Sequence, residues 1–444
     1  MRLAWNILTT LAARLVLLAL ALFSSIILAR ILGPEGRGVF ALVLLLPELG
    51  ATFGLLGFEQ ANVVYAGLEP RGRGALVWHS TAIAGVVGGI IAVAGVSFFV
   101  LRGPGSHALL HGPLWLYILP LLTVPSALVT AYWGAILRGM NRIFLMNAVE
   151  VGTKGGSLLL ILVLVWWLRL GVAGAVSAET LVSAGTVVLM VGLLRHVGTW
   201  GRPSFDWPLW RRIRRFALPA YCGGITSYLN YRADQFIIAA LLPPEQLGFY
   251  AIAVGLAERL WILTGAVAHA LLPHLANSTE RDPALSAVVA RHVMIWTGGA
   301  CLLVFALADV MVRVMYSSAF VEAVSPLRWM LPGIFIATAG KVLVAEILAR
   351  EKIHYTVWVG IITVLVNIVG NFLLVPRMGI SGAALASSIS YSLLSLILTW
   401  YYLRETHVQW TALLPSRSDL LPYTVLWHHF LDVVSPAKGI IRGV

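Results

Sequence analysis

The sequence predicts an all-α integral membrane protein of twelve transmembrane helices, arranged as two six-helix lobes that repeat in the same direction along the chain. Three observations carry this. Hydrophobic residues fill 59% of the 444 positions and charged residues only 11%, with a mean hydropathy of +0.88, far too apolar for a water-soluble domain. Apolar runs of about twenty residues recur, each long enough to cross a ~30 Å hydrocarbon core as a helix, and no strand-like alternation competes. The chain also says the same thing twice: Pro34, Glu35, Gly38, Phe40 and Ala41 return 210 positions later as Pro244, Glu245, Gly248, Tyr250 and Ala251. Gly171-Val172-Ala173-Gly174-Ala175 returns as Gly379-Ile380-Ser381-Gly382-Ala383 at a spacing of 208. Two different echoes at nearly one offset mark a duplicated unit, because chance matches would not share it.

In order, the apolar runs place spans at 8–32, 39–66, 77–101, 112–137, 146–168, 170–194, 216–242, 247–274, 286–309, 325–348, 356–376 and 381–403. The first run, behind Arg2 and Arg14, is too long for a secretory signal core, and its only small-residue cut site falls inside the run itself; it is read as a span. Cys222 and Cys301 both lie in apolar segments as small hydrophobes, silent about redox compartment. The most basic loop holds Arg195, Arg202, Arg211, Arg212, Arg214 and Arg215, and it divides residues 1–200, the first lobe, from 201–403, the second. Placing this loop in the cytoplasm puts both termini there as well, with about 18 Lys and Arg inside against about 7 outside, the positive-inside pattern. The net charge of +12 is therefore a topology signal in short loops rather than a nucleic-acid footprint. Residues 404–444 form a tail whose apolar stretch, Leu420 to Val434, is too short and polar to cross; it is expected on the cytoplasmic face.

Prolines bend several spans. Pro47, Pro120, Pro125, Pro219 and Pro332 lie within apolar runs, where each removes a backbone donor. Pro120 and Pro332 follow similar residues, Tyr117-Ile118-Leu119 and Trp329-Met330-Leu331, so a duplicated bend is expected, as suits two lobes rocking around a central cavity.

An ionisable group near the bilayer centre costs at least ~2.5 kcal/mol, so intramembrane charges are the strongest functional signal. A dozen stand out: Arg14, Glu48, Glu59, Glu150, Lys154 and Glu179 in the first half, and Arg232, Asp234, Glu258, Arg259, Lys341 and Glu346 in the second. Glu150 and Lys154, spaced i, i+4, can neutralise each other on one helix face. Glu258 and Arg259 are neighbours about 100° apart around a helix, and Arg232 and Asp234 lie about 200° apart, so all four need partners elsewhere. Asn230, Tyr231, Arg232, Asp234 and Gln235 form a polar cluster in mid-span that must face a polar interior or the other lobe. Asp234, Glu258 and Glu346 are the candidates for ion coupling. Catalytic signatures are missing: no HExxH pair, no CxxC cluster, no nucleotide-binding P-loop and no extramembrane stretch long enough for a catalytic domain, so no enzyme activity, cofactor or metal is expected.

The segment Ala29-Arg30-Ile31-Leu32-Gly33-Pro34-Glu35-Gly36-Arg37-Gly38-Val39-Phe40-Ala41 resembles the first inter-helix turn of polysaccharide-biosynthesis flippases, within the multidrug/oligosaccharidyl-lipid/polysaccharide exporter superfamily. Asp234, then Leu247-Gly248-Phe249-Tyr250-Ala251 and Leu272-Pro273, continue the likeness; Asn371, Pro376 and Gly379 to Ala384 look like that family's last two helices. The resemblance implies two lobes around a cavity that opens to either side in turn. Its cargo would be a polyprenyl-diphosphate-linked oligosaccharide, moved across the cytoplasmic (inner) membrane for surface polysaccharide synthesis. Arg14 and Arg232, then Lys341, are the candidates for the diphosphate, with Asn230 and Asp234 beside them. Membrane lipids, and a polysaccharide polymerase or glycosyltransferase, are the implied partners. A multidrug/cation antiporter of the superfamily would carry an acid in its first span, which here holds Arg14 and none. Lipid II flippases have two further C-terminal helices that the tail does not supply. A glycan polymerase or ligase would need a large external loop, and the longest expected here is near 310–325.

Overall fold

The computed structural model describes residues 2–102, 112–200, 206–277, 283–350 and 352–414, which are helical throughout apart from turns. Helix α1 runs from Arg2 to Gly54 and contains a corner at Gly33, whose φ of 68° and ψ of −179° lie outside the helical region. The two expected spans are thus joined without a loop. Gly33, lacking a Cβ, takes the left-handed φ, and Pro34 starts the next helix with its φ already fixed. The second segment breaks at residues 55–57 and resumes as α2 (Phe58–Leu68). Then come α3 (Arg73–Arg102), α4 (Trp115–Leu121), α5 (Val124–Gly139), α6 (Ile143–Ile161) with a π-helical turn over Leu162–Trp167, and α7 (Gly171–His196).

The second half comprises α8 (Trp207–Leu241), α9 (Pro244–Arg259), α10 (Trp261–Asn277), α11 (Pro283–Tyr316), α12 (Val324–Ala349), α13 (Ile353–Met378) and α14 (Ile380–Thr406). Asp206 caps α8, its Oδ1 accepting from Leu209 N at 2.9 Å ahead of Pro208 in the first turn. Among the described residues nine helical segments are long and apolar enough to cross a membrane. One of these, Ala12–Gly54, covers the greater part of two expected spans. The expected seventh and eighth spans fall outside that number: α8 carries the polar stretch Asn230 to Gln235, and α9 and α10, of 16 and 17 residues with Leu260 between them, are each too short.

One expectation needs correction. The stretch 310–325 is not a loop: α11 continues to Tyr316 and a 3-10 turn spans Ser318–Ala323, started by Ser317, whose hydroxyl accepts from Ala319 N at 3.4 Å. Pro120 and Pro332 both lie inside helical runs: right-handed helical dihedrals continue through Leu122 and Thr123 into α5, and α12 runs on through Pro332. The tail beyond residue 414, including Leu420 to Val434, lies outside the described residues.

Buried side chains cluster by half. Tyr132, Trp133, Val77 and Met190 form one core in the first half, and Phe40, Tyr117, Val165 and Ala175 another. Tyr250, Tyr316, Phe320 and Met330 anchor the second half. The start of α8 crosses over: Leu209, Ile213 and Ala217 pack into the first-half core, and Trp210 stacks on Phe58 at 5.3 Å. Arg212 and Glu69 pair at 2.6 Å beside them. At the opposite end the halves meet where α1 passes α9. There a Cβ on Gly38 would collide with the Pro244 carbonyl, and one on Gly248 with the Pro34 carbonyl. Arg30 ties this end further, its Nε donating to Met315 O at 2.9 Å and another guanidinium nitrogen to Val314 O, at the end of α11.

Candidate substrate cavity

Away from this closed end, a cavity of about 500 Å³ opens between the halves. Its walls come from the first part of α1 (Arg14, Leu17, Leu18), from α6 (Met146, Glu150, Lys154) and, across from them, from Arg259 and Ile262. Arg14 lies 19 residues before Gly33, so the cavity sits roughly 28 Å along α1 from the closed end. Three cations and one carboxylate line it. Glu150 turns to Arg14 rather than to Lys154, with its Oε2 3.9 Å from Arg14 Nη1. At that distance, with the Arg14 side chain 58% exposed, the pair is weak and leaves the arginine free to engage another anion. Arg259 is steadied by its own helix, Nη1 donating to Gly255 O at 2.6 Å.

The other intramembrane charges are engaged elsewhere. Arg232 is held between two carboxylates, with Nη1 2.8 Å from Glu258 Oε1 and Nε 3.6 Å from Glu48 Oε1, so it joins α8 and α9 to α1 of the other half. Glu59 pairs with Arg138 at 2.7 Å, and Glu179 accepts from Ser157 Oγ at 2.6 Å. Asp234 is fully buried among α8, α9 and α14, where it accepts from Tyr250 Oη and from Ser387 Oγ at 2.8 Å. Ser387 receives a bond from Asn367, which Asn371 in turn contacts, so a buried polar chain runs from the carboxylate into α13. Glu346, 1% exposed, accepts from Ser286 Oγ at 2.9 Å and from Arg350 Nε at 2.8 Å.

A second cavity, of about 330 Å³, lies inside the second half. Lys341 reaches into it over the faces of Trp261 and Tyr231, its Nζ 4.0 and 4.8 Å from the ring centroids, and donates to Tyr231 Oη at 2.6 Å. Tyr231, Trp261 and Tyr391 form a mutually tilted group with centroids 5.3–5.7 Å apart. Asn230 lines the same space, its Oδ1 accepting from Ser390 Oγ at 2.6 Å.

The sequence-predicted site residues therefore separate. Arg14 lines the cavity between the halves; Asn230 and Lys341 line the second cavity; Arg232 and Glu258 bind each other; Asp234 and Glu346 are buried in helix packing. Lys154 and Arg259 stood among the intramembrane charges without being chosen as site residues, and nothing in the sequence singled out Trp261 or Tyr391.

Comparison with known proteins agrees with this architecture. The family described as polysaccharide biosynthesis protein matches residues 27–325. A protein of Shigella flexneri named "Putative O-antigen transporter" is 20% identical over 396 residues, covering 86% of this chain and 93% of that one. The lipid II flippase MurJ in an inward closed conformation superposes with a TM-score of 0.75 at 15% identity, over 97% of this chain and 93% of its own. An inward-facing multidrug resistance MATE family transporter of the MOP superfamily superposes with a TM-score of 0.70 at 12% identity, over 87% and 94%. These proteins are transporters and flippases rather than enzymes, and the chain is a multi-pass membrane protein that belongs to the polysaccharide biosynthesis protein family.

Proposed function

We propose that the protein is a flippase that carries a polyprenyl-diphosphate-linked oligosaccharide across the cytoplasmic membrane by alternating access between two six-helix lobes. The carrying observation is the charge of the cavity between the halves, where Arg14, Lys154 and Arg259 face a single Glu150. In a low-dielectric setting such an excess of cations favours a diphosphate, and guanidinium forks suit its oxygens. Arg14 belongs to the first lobe and Arg259 to the second, so a bound diphosphate would draw the lobes together. Arg232, with two carboxylates on it, is better suited to joining the lobes than to holding phosphate.

The closed contact at Gly38 and Gly248, with the cavity on the other side of it, supports one of two alternating states. The polyprenyl chain can remain in lipid while the head crosses. Twelve crossings with both termini in the cytoplasm fit the loop charges, and Asp234 with its polar chain is the group for coupling to an ion gradient. A multidrug/cation antiporter is disfavoured by the same charge excess, which would repel a cationic drug. The test is export of surface glycan and binding of inorganic pyrophosphate by Arg14→Gln and Arg259→Gln. Each should lose both by about tenfold or more while inserting normally. Wild-type export from both variants would refute the reading.

A further inference from the structure

The cavity inside the second half has features that a diphosphate site does not need. Its walls are aromatic: Trp261, Tyr231 and Tyr391 surround it, and the Trp261 indole is fixed by donating to Ile334 O at 3.0 Å. Such faces suit the C–H side of a pyranose ring, while the partly exposed Thr226 hydroxyl, which donates to Gly223 O, can accept from its rim. Tyr391, only 1% exposed, closes one of these walls.

Lys341 adds a charge. Among the described residues no carboxylate lies within ion-pair distance of its ammonium, which has only two rings and the Tyr231 hydroxyl around it. A cation in the middle of a membrane helix with no acid beside it calls for an anionic ligand. The cavity is also next to the first one. Arg259 and Ile262, i, i+3 on one helix face, turn to the cavity between the halves, and Trp261, on the neighbouring face, turns to this one. A head group with its diphosphate on Arg259 therefore has its nearest sugars within reach of Trp261.

We propose that this cavity is a subsite for an acidic sugar residue of the transported glycan, its carboxylate on Lys341 and its ring on Trp261. The assignment rests on the reading of the protein as a diphosphate-glycan flippase. Its volume of about 330 Å³ is within the range of small-molecule sites.

The test uses the purified full-length protein in detergent, titrated with methyl glucuronide, methyl glucoside, methyl phosphate and inorganic pyrophosphate. Wild type should bind the glucuronide about tenfold tighter than the glucoside. Lys341→Met should erase that difference and Lys341→Arg should keep most of it, while Trp261→Leu should weaken both sugars severalfold. Equal binding of the two sugars by wild type, or no binding of either, overturns the subsite. A Lys341-dependent preference for methyl phosphate over the glucuronide overturns it too, and makes the occupant a lipid phosphate. Pyrophosphate separates the two readings. If it binds through Arg14 while the glucuronide does not bind, only the sugar subsite falls; if the glucuronide binds and pyrophosphate does not, the diphosphate reading falls instead.

Discussion

Gly38 and Gly248, 210 positions apart, pack reciprocally: a Cβ on either would strike the carbonyl of the proline that opens the other's helix, Pro244 for Gly38 and Pro34 for Gly248. Each imagined Cβ also comes within 3.0 Å of the other glycine's nitrogen. The repeated proline–glycine motif is thus one half of a self-complementary joint, as two-fold contacts require of a residue and its equivalent. Helix backbones approach this closely only where no side chain intervenes.

Gly38→Ala should therefore force the joint apart. Spin labels at Glu35 and Ser318, exposed positions in different halves, should show distances lengthened by several ångströms, measured after replacing Cys222 and Cys301. An unchanged distance distribution would mean that the joint absorbs a methyl group and does not control this end.

Arg232→Gln should cost roughly 3 kcal/mol, since it strands Glu258 and Glu48 near each other without their cation. Glu258, with its side chain 25% exposed, should account for most of this and the half-exposed Glu48 for less. The double variant Arg232→Gln/Glu258→Gln should recover most of the loss in a thermal melt. With Glu258→Gln alone completing the cycle, effects of the two single variants that simply add in the double would show no coupling between the residues.

Asp234→Asn retains an oxygen that can accept from Tyr250 and Ser387, so the protein should fold and insert. Export should nonetheless fail to respond to collapse of the ion gradient, because the ionisable group is gone. An Asp234→Asn protein that exports at the normal rate with a normal ionophore response would restrict Asp234 to packing. Asp234→Leu, by contrast, leaves the Tyr250 and Ser387 hydroxyls unpaired and should lower expression.

Reporter fusions after residues 205 and 410 should both report the cytoplasm, since the proposed topology puts an even number of crossings between these points and the basic loop lies at the first of them. A fusion at either point reporting the outside would break the proposed topology.

The sequence by itself determined the all-helical membrane class and most of the helical runs. Apolar length dictates membrane helices, because a lipid-exposed backbone must satisfy its own hydrogen bonds, and that requirement is local. The echoed glycines were legible for the same reason: Gly174 and Gly382 each sit where a Cβ would press on a carbonyl of the preceding helix, Leu164 O and Leu374 O, and close approach leaves glycine in the sequence. Which charges share a cavity was not local. Arg14, Lys154 and Arg259 come from three helices and Arg232 was as conspicuous as any of them, yet only packing decided that Glu48 and Glu258 would bind Arg232 while the other three met across open space. Likewise Trp261 became the wall of a cavity only because α8, α12, α13 and α14 pack around it. Helix formation depends on neighbours within a few residues, whereas the partner of a side chain depends on how distant helices rotate against one another, and that is settled only when the whole bundle packs.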